Sequence, residues 1–403
     1  MPRTFEQYQR KHFSPSFFQL YQPLIKILQK TPILESRGDR PLQMTFDDQL
    51  KALIFFHLEE HSSGRHLIQV LKEDNFARNN IAPKDGIEKS SFSEAINSRG
   101  LEQLKFVFEK LSYEASDILP DKHPELGELI TVDGSLITAV LSMNRADYRK
   151  GSKKAKVHVG SDLNRGIPGK IFLTDGNGNE RLSVNKILSP GQTGVGDRGY
   201  QKHATFDTLQ TEGKSFVIRI KAGTIKTLIE EHKVNPDSIV FYDAEVLSGT
   251  VENNKQTEKS VRLVGYRIKG VDYWIATDRR DLTAEQIAYI YKLRWEIESF
   301  FAWWKRHLGV YHLIARSEYG LMVQMLGGLI TYLLLAIYCR KTHNEPVSIK
   351  RVRGLRIQIQ NELRDSGCST DSFFSKEQKH CGYMQESNRT LLPHTRSIGL
   401  YLL

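Results

Sequence analysis

The segment YKLRWEIESFFAWWK, residues Tyr291–Lys305, carries the most informative pattern in the chain. At about 100° of rotation per helical residue, four polar side chains fall within roughly a 60° arc, namely Tyr291, Arg294, Glu298 and Lys305. The apolar side chains of Leu293, Ile297, Phe300 and Trp304 fall on the other side, where they would anchor the helix against a core. The segment predicts a helix with a rigid polar stripe, although an exposed i,i+4 ion pair between Arg294 and Glu298 would give the same pattern.

Upstream of this segment, strand and helix patterns alternate. The first predicted strand, Leu129–Val132, ends in Asp133-Gly134-Ser135. Further strands are predicted at Ala155–Val159, Lys170–Thr174, Thr193–Gly196 and Ser215–Lys221, with helices at Arg181–Ile187 and Ala204–Gln210. The alternation predicts an α/β sheet. Strands without helices follow at Ser238–Val246, Val261–Ile268 and Val271–Thr277, which predicts a β subdomain inserted at about residues 222–278.

The residues before this sheet are predicted to be helical up to about Ala115. Two short candidates, His66–Lys72 and Ser90–Asn97, could form a helix-turn-helix. The second helix would then direct Ser90, Ser91, Ser93, Asn97 and Arg99 toward phosphates and base edges of DNA. Capped amphipathic helices of this composition are also common in ordinary helical bundles, so the pattern leaves both interpretations open.

The bulk composition is that of a folded basic protein. The chain has 403 residues and a formal net charge of +10, and its length predicts two or three folded units. A basic surface favours nucleic acid as the large partner. The three cysteines are too scattered for a disulfide framework or a CxxC zinc site, and the N-terminus lacks the apolar region of a signal peptide, so we expect a cytoplasmic protein.

One apolar stretch, Gly320–Cys339, is nearly long enough to span a bilayer. It stands alone between charged flanks, and the central helix of a large soluble protein can be apolar all round. We therefore predict a core helix and no membrane association.

The full spacing Y-x2-R-x3-E-x6-K of the helical segment resembles the signature of DDE transposases in the insertion-sequence-four family. The resemblance extends to TVDGS around Asp133 and to GDRGY around Asp197, and it covers Glu128 to about Arg316. It implies a ribonuclease-H-like catalytic core with an inserted β subdomain, flanked by helical N- and C-terminal regions. It also implies that Asp133, Asp197 and Glu298 are the catalytic and metal-binding residues.

The same resemblance implies metal-dependent chemistry on DNA. Carboxylates suit Mg²⁺, a hard cation, and two Mg²⁺ ions, which Mn²⁺ could replace, would stabilise the attacking and leaving oxygens of a phosphodiester. Asp133 would bridge both ions. Tyr291, Arg294 and Lys305 would hold the transposon end, while Trp274 and Trp295 could stack a flipped base or could simply pack in the core.

Other residues compete for these roles. Asp175 in TDGNGNE is the main rival of Asp197, followed by Asp162, although the Gly-Asn-Gly surroundings of Asp175 favour a hairpin turn. His158 could support the site or be structural. Two basic runs could bind DNA or be merely solvated: the first contains Arg145, Arg149, Lys150, Lys153, Lys154 and Lys156, and the second Lys350, Arg351, Arg353 and Arg356.

These observations predict a transposase that binds terminal inverted repeats of an insertion sequence and moves it by cutting and strand transfer. The expected parts are a helical DNA-end-binding domain at 1–120, a catalytic core at 121–319 and a helical, basic region at 320–403. The expected partners are double-stranded DNA, at the transposon ends and the target, and a second copy in a synaptic homodimer near the nucleoid. The alternative is an inactive DNA-binding regulator derived from such an enzyme.

Overall fold

The computed structural model describes residues 14–36, 41–138, 147–149, 152–175, 183–250, 256–308 and 312–368. Its helices are α1 Pro15–Leu28, α2 Phe46–Leu58, α3 Gly64–Glu73, α4 Lys89–Ser98, α5 Leu101–Ile118, α6 Ser183–Ile187, α7 His203–Thr211, α8 Ala284–Leu293, α9 Trp295–His307, α10 Glu318–His343 and α11 Ile349–Cys368. Its strands are β1 Leu129–Thr138, β2 Asp147–Arg149, β3 Ser152–Asp162, β4 Ile167–Asp175, β5 Thr193–Gly196, β6 Ser215–Arg219, β7 Lys226–Glu231, β8 Val240–Ser248, β9 Val261–Ile268 and β10 Val271–Thr277. The protein is therefore a mixed α/β structure.

Helix α10 is the centre of the helical half of the molecule. Ser317 begins the helix by accepting a hydrogen bond from the backbone N–H of Gly320. Side chains of α1 to α5, of α9 and of α11 share one apolar core with α10. The most apolar part of α10 is 89% buried, which confirms the prediction of a core helix over Gly320–Cys339.

All ten strands belong to one sheet. Its order is β2-β3-β1-β5-β6-β10-β9-β8-β7, and β4 pairs with β3. β1, β5 and β6 are parallel neighbours, while β3 and β10 run antiparallel to the strands beside them. The sequence prediction of an α/β sheet is thus confirmed.

Helices cover the two faces of the sheet. α8 packs on one face, against Leu129 of β1, Val195 of β5 and Val217 of β6. α6 and α7 pack on the opposite face, against Val132 and Phe216. Because successive side chains of a strand alternate between faces, this assignment fixes the face of every other side chain on these strands.

Strand β1 continues through Asp133, whereas the sequence predicted that the strand would end there. Its pairing with β3 runs from Ile130 to Thr138, with Asp133 opposite Val159. Gly134 does not end the strand because β3 supplies backbone partners on both sides of it. Asp133 therefore lies in the interior of a strand.

The predicted helix over Tyr291–Lys305 is divided between two helices, α8 and α9, that meet at Arg294. This residue ends α8 and begins α9, with φ −51° and ψ −31°. A capping box of Thr283 and Gln286 begins α8. The polar residues of the signature are therefore divided between two helices rather than aligned on one.

The inserted strands extend the main sheet. β10 pairs with β6, and β9, β8 and β7 continue the sheet outward from it. The predicted bounds of β5, β9 and β10 agree with the structure, whereas β2 and β7 were not predicted.

Candidate catalytic site

Asp133 lies on the face of the sheet that α8 covers. It is four residues beyond Leu129 on the same strand, so both side chains point to that face. The side chain of Asp133 is half-buried, and its Oδ1 accepts a hydrogen bond from the N–H of Gly134 at 2.8 Å. β1 therefore holds this carboxylate rigidly beneath the helices.

Asp197 follows the last residue of β5. Its Oδ1 accepts a hydrogen bond from the N–H of Gly199 at 2.8 Å and so begins a short 3₁₀ turn at Arg198–Tyr200. It is two residues beyond Val195, so it is directed to the same face as Asp133. Ligands of parallel sheets bind beyond the carboxyl ends of the strands, which is where Asp197 lies.

Asp133 and Asp197 occupy matching positions on neighbouring parallel strands. Thr131 of β1 is the last residue paired with β5, opposite Val195, and Asp133 and Asp197 each lie two residues further along the chain. Neighbouring strands are about 4.8 Å apart, which is close enough for two carboxylates to share a cation.

The same row continues to Arg219, which the sequence analysis missed. Val195 pairs with Val217 of β6, so Arg219 follows Asp197 in the row. Its guanidinium lies 4.6 Å from the centre of the Tyr273 ring. The signal in the sequence was a charged residue that ends the apolar strand Ser215–Arg219, but only the strand order places it beside the two aspartates.

Glu298 is in the first turn of α9 and forms an ion pair with Arg294. Arg294 Nη2 lies 2.8 Å from Glu298 Oε1, and the side chains are 9% and 40% exposed, respectively. The guanidinium also lies 5.5 Å from the Tyr291 ring and 5.3 Å from the Trp295 ring. The i,i+4 pair foreseen in the sequence exists, but its arginine is buried and enclosed by aromatic rings.

Tyr291 and Lys305 occupy different surroundings. Tyr291 is buried in the core between α8 and the sheet, where its ring is 6.3 Å from that of Tyr273. Burial lowers the pKa of Lys305, and the nearby charge of Asp133 partly offsets this effect. Lys305 therefore lies on α9 close enough to Asp133 for the two charges to interact.

The donor atoms at this site suit a divalent cation, but they are not assembled into a metal centre. Three carboxylates are the ligands that Mg²⁺ prefers. Among the residues that the structure describes, no three His, Cys, Asp or Glu side chains come close enough to hold a metal ion. Asp133 and Asp197 lie on one face of the sheet, on or next to neighbouring strands, whereas Glu298 is paired with Arg294.

The structure separates the two tryptophans. Trp295 is 55% exposed and borders a cavity of about 590 Å³ between α9 and α10, which Trp303 also lines. Trp274 is half-buried on the opposite face of the sheet from Tyr291, with its ring 5.3 Å from those of Phe241 and Tyr242. Trp274 therefore lies away from the four residues of the Y-x2-R-x3-E-x6-K signature.

The rival acids are placed as follows. Asp162 accepts hydrogen bonds from the backbone N–H groups of Asn164 and Arg165 and from the Arg165 guanidinium, so it stabilises the β3–β4 turn. Asp175 is the last residue of β4, and its side chain and the GNGNE segment after it lie outside the described part of the chain.

His158 is directly opposite Gly134 in the β1–β3 ladder. Its Nε2 lies 2.8 Å from Thr174 Oγ1, and burial lowers its pKa to about 4. The ring is stacked on Phe172 and is neutral near pH 7, which gives it a structural role beside β1.

The two basic runs are only partly described. Arg145 and Lys150, with the side chains of Arg149, Lys153 and Lys154, lie outside the described residues, while Lys156 is buried. In the second run Arg351 is paired with Glu345 and Arg356 with Glu60, whereas Lys350 and Arg353 are exposed on α11.

Two residues of the predicted recognition helix have structural partners. Asn97 Oδ1 accepts hydrogen bonds from the backbone N–H groups of Arg316 and Ser317, at 2.6 and 3.1 Å. Arg99 is buried, and its Nε lies 3.8 Å from Glu94 Oε1. Asn97 therefore connects α4 to the start of α10, and Arg99 is buried next to its own helix rather than projecting toward solvent.

Comparison with known proteins assigns the chain to one family. Residues 125–334, more than half of the chain, match the family model described as "Transposase DDE domain". A transposase for insertion sequence element IS4SA of Synechocystis is 26% identical over 257 residues, which are 62% of this chain and 72% of that protein. The transposase y4zB of Sinorhizobium fredii is 26% identical over 52% of this chain and 60% of its own length.

Two further proteins also match this chain. A transposase for insertion sequence element IS5377 of Geobacillus stearothermophilus is 28% identical over 58% of this chain and 63% of its own length. The cryo-EM structure of a piggyBac transposase synaptic complex with hairpin DNA aligns with 92% of this chain and 84% of its own, at 10% identity and a TM-score of 0.44.

Proposed function

The chain belongs to the DDE transposase family of insertion sequences, whose members cut and join DNA with divalent metal ions, and from this premise we propose that it binds the terminal inverted repeats of its element and moves it by cleavage and strand transfer. The Y-x2-R-x3-E-x6-K spacing supports the insertion-sequence-four group as part of this proposal. The partner DNA would include both the transposon ends and the target.

On the face that α8 covers, Asp133 in the interior of β1, Asp197 just beyond β5 and Arg219 at the end of β6 come from three neighbouring parallel strands, and this arrangement carries the proposal. Two carboxylates and a guanidinium on one face offer ligands for a cation and a donor for the phosphate that the cation binds. α9 crosses β1 on this face and brings Lys305 near Asp133.

Asp133, Asp197 and Glu298 would hold the metal, with Asp133 shared between two Mg²⁺ ions that Mn²⁺ could replace. When bound, such ions lower the pKa of a water nucleophile and stabilise the charge that develops on a phosphodiester. The chain itself supplies the rigid strand that fixes Asp133, the turn that fixes Asp197 and the cations that fix the DNA.

The pairing of Arg294 with Glu298 gives DNA a defined role in assembling the site. A phosphate of the transposon end would replace Glu298 as the partner of Arg294, because a guanidinium binds phosphate through the same two-pronged geometry as carboxylate. Glu298 would then be released toward the aspartates. Tyr291 would act by holding the Arg294 guanidinium, and Lys305 would hold a second phosphate as a point charge.

Trp295 is the better placed of the two tryptophans to stack a flipped base, because its ring is exposed beside Arg294. Trp274 would contact DNA only on the other face of the sheet.

The strand order supports a ribonuclease-H-like core, since three antiparallel strands are followed by two that are parallel to the first. Within this proposal residues 1–120 bind the DNA end, 121–319 form the core with its insertion at 222–278, and 320–403 support the synaptic homodimer. The protein would act in the cytoplasm, at the nucleoid.

The test is to incubate the purified full chain with DNA that carries the inverted repeats flanking its gene, with and without Mg²⁺. We expect Mg²⁺-dependent nicking at the element boundary, followed by joining to a target. DNA that is retarded on a gel but stays uncut would instead identify a DNA-binding regulator. The pairing of Glu298 with Arg294 is the observation that keeps this second function in view.

A further inference from the structure

Strand β7, residues Lys226–Glu231, forms one outer edge of the ten-stranded sheet. β8 pairs with its inner side, and no described strand pairs with its outer side. Exposed strand edges carry backbone N–H and C=O groups that can pair with another chain. This edge is therefore able to extend the sheet across an interface.

The edge is also apolar. Ile225, Leu228 and Ile229 are 63%, 54% and 54% exposed, respectively, within five consecutive residues. The neighbouring exposed residues Ile239, Phe241, Ile268 and Val271 belong to the same end of the sheet. Contiguous exposed apolar side chains mark interaction surfaces, and here the charges of β7, on Lys226, Glu230 and Glu231, lie on either side of Leu228 and Ile229.

The charges of β7 are arranged so that the strand complements itself. Lys226 pairs with Ser248 of β8 and Glu231 with Ala244, and these partners are four residues apart on one face of β8. Lys226 Nζ lies 4.3 Å from the Trp274 ring and 4.8 Å from the Tyr242 ring, and on the same face burial and then the Glu231 carboxylate raise the pKa of Tyr242. A cation and an anion thus flank the apolar residues on the same face.

We propose that β7 pairs antiparallel with β7 of a second copy of this chain and so forms a two-fold dimer through a continuous sheet. In this arrangement each Lys226 lies opposite Glu231 of the other copy, and Leu228 lies opposite Ile229. The two-fold axis passes between the strands, so each contact occurs twice, as an isologous interface requires.

A bulge at Ile229, where the ladder to β8 shifts between Leu228 and Glu230, limits the length of the new ladder. The interface therefore consists of a few backbone hydrogen bonds, the apolar centre and two ion pairs. Interfaces of this size are weak, so the dimer forms reversibly at high protein concentration.

This inference names the surface for the second copy in the proposed synaptic complex, and in that respect it rests on the proposed function. Sedimentation of the full chain without DNA tests it separately, because assembly is measured in the absence of cleavage. We expect the wild type to change from monomer to dimer as its concentration rises, and a wild type that stays monomeric up to its solubility limit would overturn the inference.

Charge reversals test the register. Lys226→Glu or Glu231→Lys alone should weaken dimerisation by about tenfold, because each creates two like-charge contacts. The double reversal should restore most of the affinity, and Lys233→Glu, an exposed position just beyond β7, should leave it unchanged. Dimers that are insensitive to the single reversals, or a double variant without recovery, would contradict the proposed pairing.

A variant at the apolar centre provides an independent test. Leu228→Lys changes an exposed side chain, so the monomer should fold normally, as near-ultraviolet circular dichroism would report. Two lysines would then meet at the axis, and we expect a monomer at every concentration. Dimerisation of this variant with wild-type affinity would show that β7 is not the interface.

Discussion

Arg294 Nη2 lies 2.8 Å from Glu298 Oε1 across the junction of α8 and α9, and the arginine side chain is almost completely buried. Glu298 thus neutralises a guanidinium that has little access to water. Removing one partner of such a pair leaves the other charge unpaired in a low dielectric. The residue that we assign to metal binding therefore also stabilises the fold.

The first prediction concerns the stability of this pair. We expect Glu298→Gln to lower the free energy of unfolding by about 1–3 kcal/mol, because the amide keeps the shape of the side chain and removes its charge. Glu102→Gln is the matched control, since Glu102 and Lys105 form an exposed i,i+3 pair. Urea denaturation measures both, and equal effects of the two substitutions would mean that the burial of Arg294 is unimportant.

The second prediction concerns the three acids. Asp133→Asn, Asp197→Asn and Glu298→Gln should each reduce cleavage of element-end DNA by at least about a thousandfold, because each removes an anionic ligand of the proposed metal site. The affinity for DNA, measured by gel retardation, should change little for the two aspartate variants, because they keep all the Lys and Arg side chains of the site. Cleavage at the wild-type rate by any of the three would remove that residue from the proposed mechanism.

Most secondary structure could be predicted from the sequence because periodicity is a local property. β9 and β10 are runs rich in β-branched and aromatic residues that lie between turn residues, and their predicted bounds agree with the structure. The break at Arg294 could not be predicted, because no Gly, Pro or capping residue interrupts LRWE and the residue keeps helical dihedral angles. β7 was missed since its sequence, KTLIEE, does not alternate between apolar and polar residues.

The candidate site was less accessible to sequence reasoning because it depends on the order of strands. The motifs singled out Asp133 and Asp197, but only the parallel pairing of β1, β5 and β6 places them in one row with Arg219. The same order places Trp274 on the far face of the sheet. Contacts between residues distant in the chain decide these positions, and no local pattern records them.

The third prediction distinguishes the two tryptophans. Trp295→Ala should leave stability nearly unchanged but weaken a step that requires a stacked base by roughly tenfold to a hundredfold, since base stacking is worth about 1–3 kcal/mol. Trp274→Ala should lower the stability by about 1–3 kcal/mol, because it removes a ring that packs on Phe241 and Tyr242. Thermal unfolding measures the stability of each variant, and single-turnover cleavage measures the step that requires a stacked base. A cleavage defect in Trp274→Ala with unchanged stability, together with normal cleavage by Trp295→Ala, would show that Trp274 is the stacking residue.

The fourth prediction is a loss of stability in mild acid. Burial lowers the pKa of His57 to about 4, against 6.5 in the unfolded chain, even though its ring contacts the backbone carbonyls of Leu308 and Gln324. Between these pH values the unfolded chain binds a proton that the folded chain does not, so stability is complete above pH 6.5 and decreases as the pH falls toward 4.

His57→Gln should reduce this pH dependence by up to about 1.4 kcal/mol per pH unit, which is the limit for one proton. His61 and His158, whose pKa values burial also lowers to about 4, would supply the remaining slope. The exposed His312→Gln is the control. Urea midpoints measured from pH 7 to pH 4 provide the comparison, and an unchanged slope in the His57 variant would mean that this histidine is protonated in the folded protein.

The fifth prediction asks whether Asn97 supports the fold or reads DNA. Its Oδ1 accepts two backbone hydrogen bonds just before α10, and its Nδ2 donates to the carbonyl of Ser93 at 2.9 Å. Asn97→Ala should cost about 1–2 kcal/mol of stability, as the loss of a helix cap does. Asn97→Asp keeps the acceptor and places a negative charge near the N-terminus of α10, so it should cost less.

The aspartate variant separates the two roles, because a carboxylate facing DNA would repel the phosphates. If Asn97 only supports the fold, Asn97→Asp should bind element-end DNA as the wild type does and with the same salt dependence. If it contacts a base or a phosphate, affinity should fall by at least about tenfold while thermal stability is retained. The hydrogen bonds of Asn97 to Arg316 and Ser317 favour the first result. If α4 contacts DNA, we therefore expect the exposed Ser90, rather than Asn97, to make the contact.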